Sequence, residues 1–402
     1  MDIKKKLEYY RNPVKLESNT APREKTIRER IPTAVKALAE HFNAELLYAS
    51  QAPILKIRNH FECKHPLKDV YLHRLSKRQF REAIVPEQCL FFDLETTGLS
   101  GGAGTYPFLM GFGYFETDVF TIVQYFLPDF GRDYFVFKEL KNLLQDKRFL
   151  ISYNGKSYDL PLLKARAILN RMQTDFENLL HIDLLHFARR VWKDSQERCD
   201  LGSVENMRLG VERSVDIPGG LIPSAYTTFL NTGVIHEMVQ TIEHNIRDIH
   251  SLAQLLFRLA EIEENPGSAD DAYALLRLAD LAFELNDYAY FQRIEKAFIQ
   301  RFGSENSKLK FVKSMFLKRN GQWTPAVKLW EELSLETAYR FKALQELCKY
   351  YEHRVRDYRQ AVRYCQTALK AIRVLEEINP YSAINIRSEF EKRFSRLRRK
   401  LS

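Results

Sequence analysis

Residues 89–99 read Cys89-Leu90-Phe91-Phe92-Asp93-Leu94-Glu95-Thr96-Thr97-Gly98-Leu99. The stretch predicts a strand that ends in two acidic side chains. Alternation puts Leu90, Phe92 and Leu94 on one face and Phe91, Asp93 and Glu95 on the other. Asp93 and Glu95 therefore point the same way from an otherwise apolar strand. Such a pair can be the solvent face of an edge strand. The apolar flanks argue for a central one, where like charges side by side are costly unless a cation lies between them. Paired carboxylates are oxygen ligands for a hard divalent ion such as Mg²⁺ or Mn²⁺. Thr96-Thr97-Gly98 closes the strand in a turn.

Downstream, a glycine-rich connection over residues 98–105 lacks the Lys-Ser/Thr of a phosphate-binding loop and predicts a tight turn. It leads into a hairpin, Phe108–Phe115 and Val119–Phe126. A helix over Tyr134–Gln145 precedes a buried strand, Phe149–Tyr153, expected to return beside the first. That strand delivers Asn154-Gly155-Lys156-Ser157-Tyr158-Asp159 and a helix from Leu160 to about Asn170. Asp159, just ahead of Leu160-Pro161, has the position of a helix N-cap. A cap at a strand-to-helix junction can also face a metal. His181-Ile182-Asp183 is a further strand-like unit, and Ile217–Tyr226 a loop punctuated by Pro and Gly. A helix over Val234–Glu261 carries His244 and Asp248, four apart and so stacked on one face. They sit at the rim of the stripe Ile246, Ile249, Leu252 and Leu256.

A chain of 402 residues exceeds one ordinary core. The expected division is an N-terminal arm and small accessory segment (1–86, mobile to about residue 30), an α/β domain (87–262), a linker (263–270) and an all-α domain (271–402). In the last, Ala343, Leu344, Leu347, Tyr350, Ala361, Ala368 and Leu369 come close to the tetratricopeptide pattern, in about three units. With 45% hydrophobic and 28% charged residues the composition is that of a soluble globular protein. No apolar run would span a membrane and the N-terminus has no signal-peptide core, so a cytoplasmic location is expected. The formal net charge of +9 favours an anionic partner such as nucleic acid. The five cysteines are scattered without a C-x-x-C pair, as in a reducing compartment. His60, Cys63, His65 and His73 match no standard zinc spacing.

Taken together, Asp93, Glu95, Asp159 and Asp248 with His244 resemble the motifs of the DEDD 3′–5′ exonucleases, built on a ribonuclease H-like fold. FFDLETTGL matches the first motif, Asp-x-Glu, and NGKSYD the second, Asn-x-x-x-Phe/Tyr-Asp. The third motif in that family is Tyr-x-x-x-Asp or His-x-x-x-x-Asp; here a histidine has the tyrosine spacing. The chain is also similar to the YprB branch of ribonuclease H-like proteins, the mitomycin repair exonuclease group. The matching residues are GLSGGAGTYPFLMGFGYF, the stretch from Asp183 to Arg190, Arg198–Ser203, DIPGGLIP and HNIRDIHSL. That branch uses this histidine spacing and carries a helical repeat tail.

The resemblance implies an α/β ribonuclease H-like domain followed by an all-α tetratricopeptide-like domain. It implies a 3′–5′ exonuclease acting in DNA repair on DNA rather than RNA, with a helicase or other protein partner on the tail and no membrane. Two Mg²⁺ or Mn²⁺ ions would be held by Asp93, bridging, and by Glu95, Asp159 and Asp248. His244, with an unperturbed pKa near 6.5, is suited to take the proton of the attacking water. Thr96, Thr97, Gly98 and Leu99 would meet the terminal nucleotide, and Asn154 and Tyr158 would position the strand. A ribonuclease using the same site, or a helical-repeat adaptor on an inactive nuclease fold, are the rival readings.

Overall fold

The computed structural model describes residues 27–47, 53–63, 67–98, 104–172, 175–213 and 216–401. The arm up to residue 26, His65 and Leu99 lie outside them, as does the middle of the glycine-rich connection. The predicted acidic strand is β3, Cys89–Thr96, once the strands ahead of it, β1 (Glu45–Leu47) and β2 (Ile54–Glu62), are counted. The hairpin is β4 (Pro107–Glu116) and β5 (Val119–Phe126). Helix α2 (Asp133–Leu144) then leads to β6 (Phe149–Ser152), and helix α3 (Asp159–Leu169) to β7 (Leu180–Asp183).

These strands form one seven-stranded sheet in the order β1-β2-β5-β4-β3-β6-β7. β3 is central, antiparallel to β4 and parallel to β6, which does return beside it. Its carboxylates are therefore not an edge decoration. The segment ahead of residue 87, expected as an accessory piece, extends the same sheet: β2 runs antiparallel to β5 from Leu55↔Phe126 to Glu62↔Val119. The sequence suggests only Ile54–Ile57 as extended. The second half of β2 is polar because β1 pairs only with Ile54–Lys56 and leaves the rest as an edge. Helix α1 (Ile27–His41) begins five residues ahead of the expected Pro32 and buries Ile31, Val35 and Leu38.

Each face of the sheet is covered. Leu90 and Phe92 of β3, with Phe108, Met110 and Phe112 of β4, pack under α1, α2, α3 and helix α6 (Ile222–Thr232). Cys89 and Phe91, on the carboxylate face, pack under α4 (Leu184–Trp192) and the long α7 (His236–Glu264), which follows α5 (Leu201–Val204) and α6 in the chain. That second core runs on without a break through α8 (Ala272–Glu284), α9 (Tyr288–Phe302) and α10 (Ser307–Arg319), to Phe316.

Residues 263–270 are consequently a packed joint and not the free linker their Asn-Pro-Gly-Ser composition suggests. Glu263 accepts the backbone N–H groups of Arg74 and Leu75, at 2.7 and 2.9 Å. Asp270 accepts Trp192 Nε1 and a guanidinium N–H of Arg258, both at 2.7 Å. The polar side chains that make the segment look solvated are the ones that anchor it. The remaining helices, α11 (Trp323–Leu335), α12 (Arg340–Lys349, continued by a wide turn to Val355), α13 (Tyr358–Ile378) and α14 (Pro380–Leu401), enclose a separate core around Trp330, Leu344, Leu347, Cys365 and Leu397. Ala326, Ala343, Ala361 and Ala368 are fully buried there, small enough for close helix approach. No helix of the described residues is long and apolar enough to cross a membrane.

Candidate active site

The site is built on one cross-strand row. Asp93 of β3 pairs with Gly111 of β4, and Gly111 with Gln124 of β5, so the three share a face. Helix α7 lies across this row because Gly111 has no side chain. A methyl group there would overlap Asn245 Oδ1 and Ile249 Cδ1, and one on Gly113 would meet Phe120 and the same Ile249. Asn245, fully buried, bridges over the glycine. Its Nδ2 donates to Asp93 Oδ2 at 2.7 Å, and its Oδ1 accepts Gln124 Nε2 at 2.7 Å. The helix that carries His244 and Asp248 is thereby registered against the strand that carries Asp93 and Glu95.

Asp159 arrives from the third segment. It is the first residue of α3; the cap position belongs to Tyr158 and no side chain caps the helix. The cap reading of Asp159 is thus incorrect, because the turn tightens one residue earlier than the Pro161 signal indicates. The preceding loop is held by a carboxylate that sequence reasoning left unassigned. Asp183, buried at the start of α4, accepts the N–H groups of Asn154 (2.7 Å), Lys156 (3.1 Å) and Leu185 (3.1 Å). Asn154 has φ of +63°, a left-handed turn that Asn tolerates, and is exposed. Gly155 passes so close that a Cβ would lie 3.0 Å from Asp159 Oδ2.

Asp93 and Glu95 feel the charges of the other acids. Burial, then the charges of Asp248 and Asp159, push Asp93 well above its ordinary range, while Asn245 and Arg213 act in the opposite sense. Burial and the same neighbours, Asp93 first, do so for Glu95. Burial and Asp183 push Asp159 up to about 7. Burial also raises Asp248, against the pull of His244 and Arg213. Four acids from three segments, each raised by burial, are a donor set that suits hard divalent cations. As they stand, no three His, Cys, Asp or Glu side chains among the described residues are arranged to hold an ion. Electrostatic coupling and convergence on one point are different things: Asn245 engages Asp93, and Arg213 Nη2 lies 2.5 Å from Asp248 Oδ1.

Arg213 belongs to a network that sequence reasoning missed. Its guanidinium also meets Glu205 at 2.5 Å and Asp216 at 2.7 Å. Asp216 Oδ1 lies 2.8 Å from His244 Nδ1 and accepts Arg247 Nη2 at 2.9 Å. Against the effect of burial, the hydrogen bonds from His244 and Arg213 hold Asp216 below the usual carboxylate range. His244 Nε2 is left on the Asp248 side, 3.5 Å from Oδ2. Asp216 is the first residue of DIPGGLIP, an acid at the head of a Pro-Gly loop. Its position in that motif was the available signal, but its partner is fixed only by folding.

A pocket of about 160 Å³ adjoins Glu95 and Asp159. Of the residues expected to meet substrate, Thr96, Gly98 and Tyr158 line it, with Gly219 and Pro223 from the DIPGGLIP loop opposite. Tyr158 is 52% exposed, so its ring is free to stack on a ligand. The threonine hydroxyls shape the turn: Thr96 donates to the Gly98 carbonyl at 2.8 Å, and Thr97 Oγ1 accepts the Tyr106 N–H at 3.0 Å. A register shift between Glu95 and Thr96 re-aims the strand end towards the pocket.

The raised acids set a pH dependence. The unfolded chain releases the Asp159 proton near 3.8, whereas the fold keeps it to about 7. The folded state therefore binds more protons in between, and its stability declines as pH rises through that window. Asp93, Glu95 and Asp248 shift in the same direction and add to the slope. In EDTA the melting temperature should fall between pH 4 and pH 7, the span bounded by the unfolded and folded Asp159 values, and Mn²⁺ should restore it above pH 7. A melting temperature flat across the window would contradict the coupling.

A ribonuclease H superfamily profile matches residues 90–260, which contain strands β4–β7, nearly all of β3 and all five proposed catalytic side chains. The chain belongs to the ribonuclease H superfamily, on a fold that suggests a nuclease-type hydrolase. Within it, the chain is 32% identical over 340 residues to the "Uncharacterized protein YprB" of Bacillus subtilis (strain 168), covering 82% of this chain and 78% of that protein. A family B DNA polymerase from the hyperthermophilic archaeon Pyrobaculum calidifontis is similar at 13% identity and a TM-score of 0.34, over 60% of this chain and 30% of its own. That likeness is too distant to bear on the fold.

Proposed function

We propose that the chain is a metal-dependent 3′–5′ exonuclease that hydrolyses the phosphodiester bonds of DNA, acting in repair. The observation that carries the reading is the set Asp93, Glu95, Asp159 and Asp248: four half-buried acids from three segments, two of them pushed up by the charges of the others, beside a pocket of about 160 Å³. A structural role does not account for that repulsion; ion binding does. Those four side chains would hold two Mg²⁺ or Mn²⁺ ions, which when bound activate a water and neutralise the leaving oxyanion.

The chain's own residues do the rest. The Asp216 carboxylate favours the proton of His244 on Nδ1, which leaves Nε2 as the basic atom facing the Asp248 side. This answers the unusual spacing of the third motif. A histidine one turn before its aspartate stacks over it on the helix, and Asp216 sets the ring's orientation. Tyr158 and the Gly219–Pro223 wall hold the terminal nucleotide over Glu95 and Asp159.

A 5′-labelled DNA strand incubated with Mn²⁺ should shorten one nucleotide at a time from its 3′ end, faster than RNA of the same sequence. Internal cuts, or no hydrolysis of either polymer, would overturn the proposal. Asp216→Asn keeps the shape but loses the charge. It should lower kcat about 10- to 100-fold, as loss of an orienting carboxylate does, with little change in KM. It should also move the acidic limb of the pH–rate profile; an unmoved limb would reduce Asp216 to a structural residue.

A further inference from the structure

We propose that the helical tail carries a second nucleic-acid site, a cleft that binds a single-stranded segment; the choice of ligand rests on the nuclease reading. The cleft, of about 380 Å³, opens between α10, α11 and the turn after α12. Lys318, Lys349, Arg354 and Arg393 line it, together with Trp323 and Tyr350.

Its charge is in surplus. Glu346 is the only carboxylate of the lining, and Lys318 and Lys349 share it. Arg393 lies 2.7 Å from the buried Glu352, which Arg396 and Lys400 also engage, at 2.8 and 3.0 Å. Each carboxylate thus has more cations than it neutralises. The aromatic part is already arranged: the Trp323 and Tyr350 rings stack at 5.6 Å and 28°, and the Arg354 guanidinium lies 5.7 Å from the Trp323 centroid.

Surplus cations for phosphates beside a stacked aromatic platform for bases are the two parts of a single-strand site. An acidic protein segment would use the cations and leave the platform idle. Nothing in the catalytic cycle uses these residues. Their function is to hold the strand away from the cut, so that the enzyme stays on its substrate between steps.

The site reports on itself. Of the chain's three tryptophans, Trp192 and Trp330 are fully buried, and only Trp323 is partly exposed. Titrating the full chain, carrying Asp93→Asn to prevent cleavage, with a 12-nucleotide oligo-dT should quench tryptophan emission. Trp323→Phe should remove the quench. Arg354→Glu, at an exposed position, should weaken binding about tenfold at low salt and flatten the salt dependence by about one contact. On a wild-type site, neither tail variant should change hydrolysis of thymidine 5′-(p-nitrophenyl phosphate), which is too small to reach the tail.

Unchanged quench and affinity in both variants would overturn the tail site while leaving the nuclease reading intact. Quenching by polyglutamate but not by the oligonucleotide would overturn it in favour of an acidic protein partner. Failure to hydrolyse the ester would count against the catalytic reading alone.

Discussion

Asp93→Asn is expected to lower hydrolysis by about three orders of magnitude and, in the absence of metal, to make the protein more stable. The two effects have one cause. The carboxylate is held against Asp248 and Asp159 in a desolvated site, so its charge costs folding energy. Asn removes the charge and keeps an oxygen for the Asn245 amide, so the buried bridge to Gln124 survives. A loss of three orders corresponds to about 4 kcal/mol of barrier. Thermal melts in EDTA at pH 8 should show a higher midpoint than wild type, and the stabilisation by Mn²⁺ should shrink. Activity within tenfold of wild type would remove Asp93 from the chemistry. A lower midpoint would mean that the acid supports the fold rather than burdening it.

Gly111→Ala is expected to do the opposite, damaging fold and site together. The new methyl would overlap Asn245 and Ile249, and both belong to the helix that carries His244 and Asp248. Neither neighbour can give way freely. Asn245 is held at both ends by hydrogen bonds, and Ile249 is fully buried in the core. The helix must lift from the sheet. Overpacking of this kind costs roughly 1–3 kcal/mol, and the opened Gln124–Asn245–Asp93 bridge adds to it. A displacement near 1 Å at the reacting groups costs about 10²-fold in rate. The lower melting midpoint should therefore come with lost activity that saturating Mn²⁺ does not rescue. A stable, active Gly111→Ala would show that α7 is not seated by that glycine.

The two substitutions probe what the sequence can and cannot express. Asp93 and Glu95 were legible because their neighbours alternate: a period-two apolar pattern tells which side chains share a face without any knowledge of the partner strand. His244 and Asp248 were legible for the same reason at helical spacing. Gly111 was not, although it stands in a strand of bulky apolar residues. A glycine in such a run is explained only by what crosses it, and α7 comes from more than 120 residues downstream.

Asp159 was legible as a candidate metal ligand, but its second reading as a helix cap was not right, since Pro161 reports where a helix can start and not where the turn before it tightens. Residues 263–270 looked like a linker because their composition is that of exposed loops; Asp270 and Glu263 carry that polarity inward to anchor the joint. Asp216 was quoted within a motif and left without a role, because nothing local links it to His244.

Residue spacing alone was enough for the strand, its two carboxylates, the helix with His244 and Asp248, and the all-helical tail. Each of these is a local pattern of apolar spacing, and such patterns survive without tertiary context. Three contacts were beyond the reach of spacing: α7 crossing β4 at a glycine, Asn245 spanning from Gln124 to Asp93, and Asp216 meeting the His244 ring. Those contacts join segments that share no periodicity, so their geometry exists only once the sheet and the helix have packed.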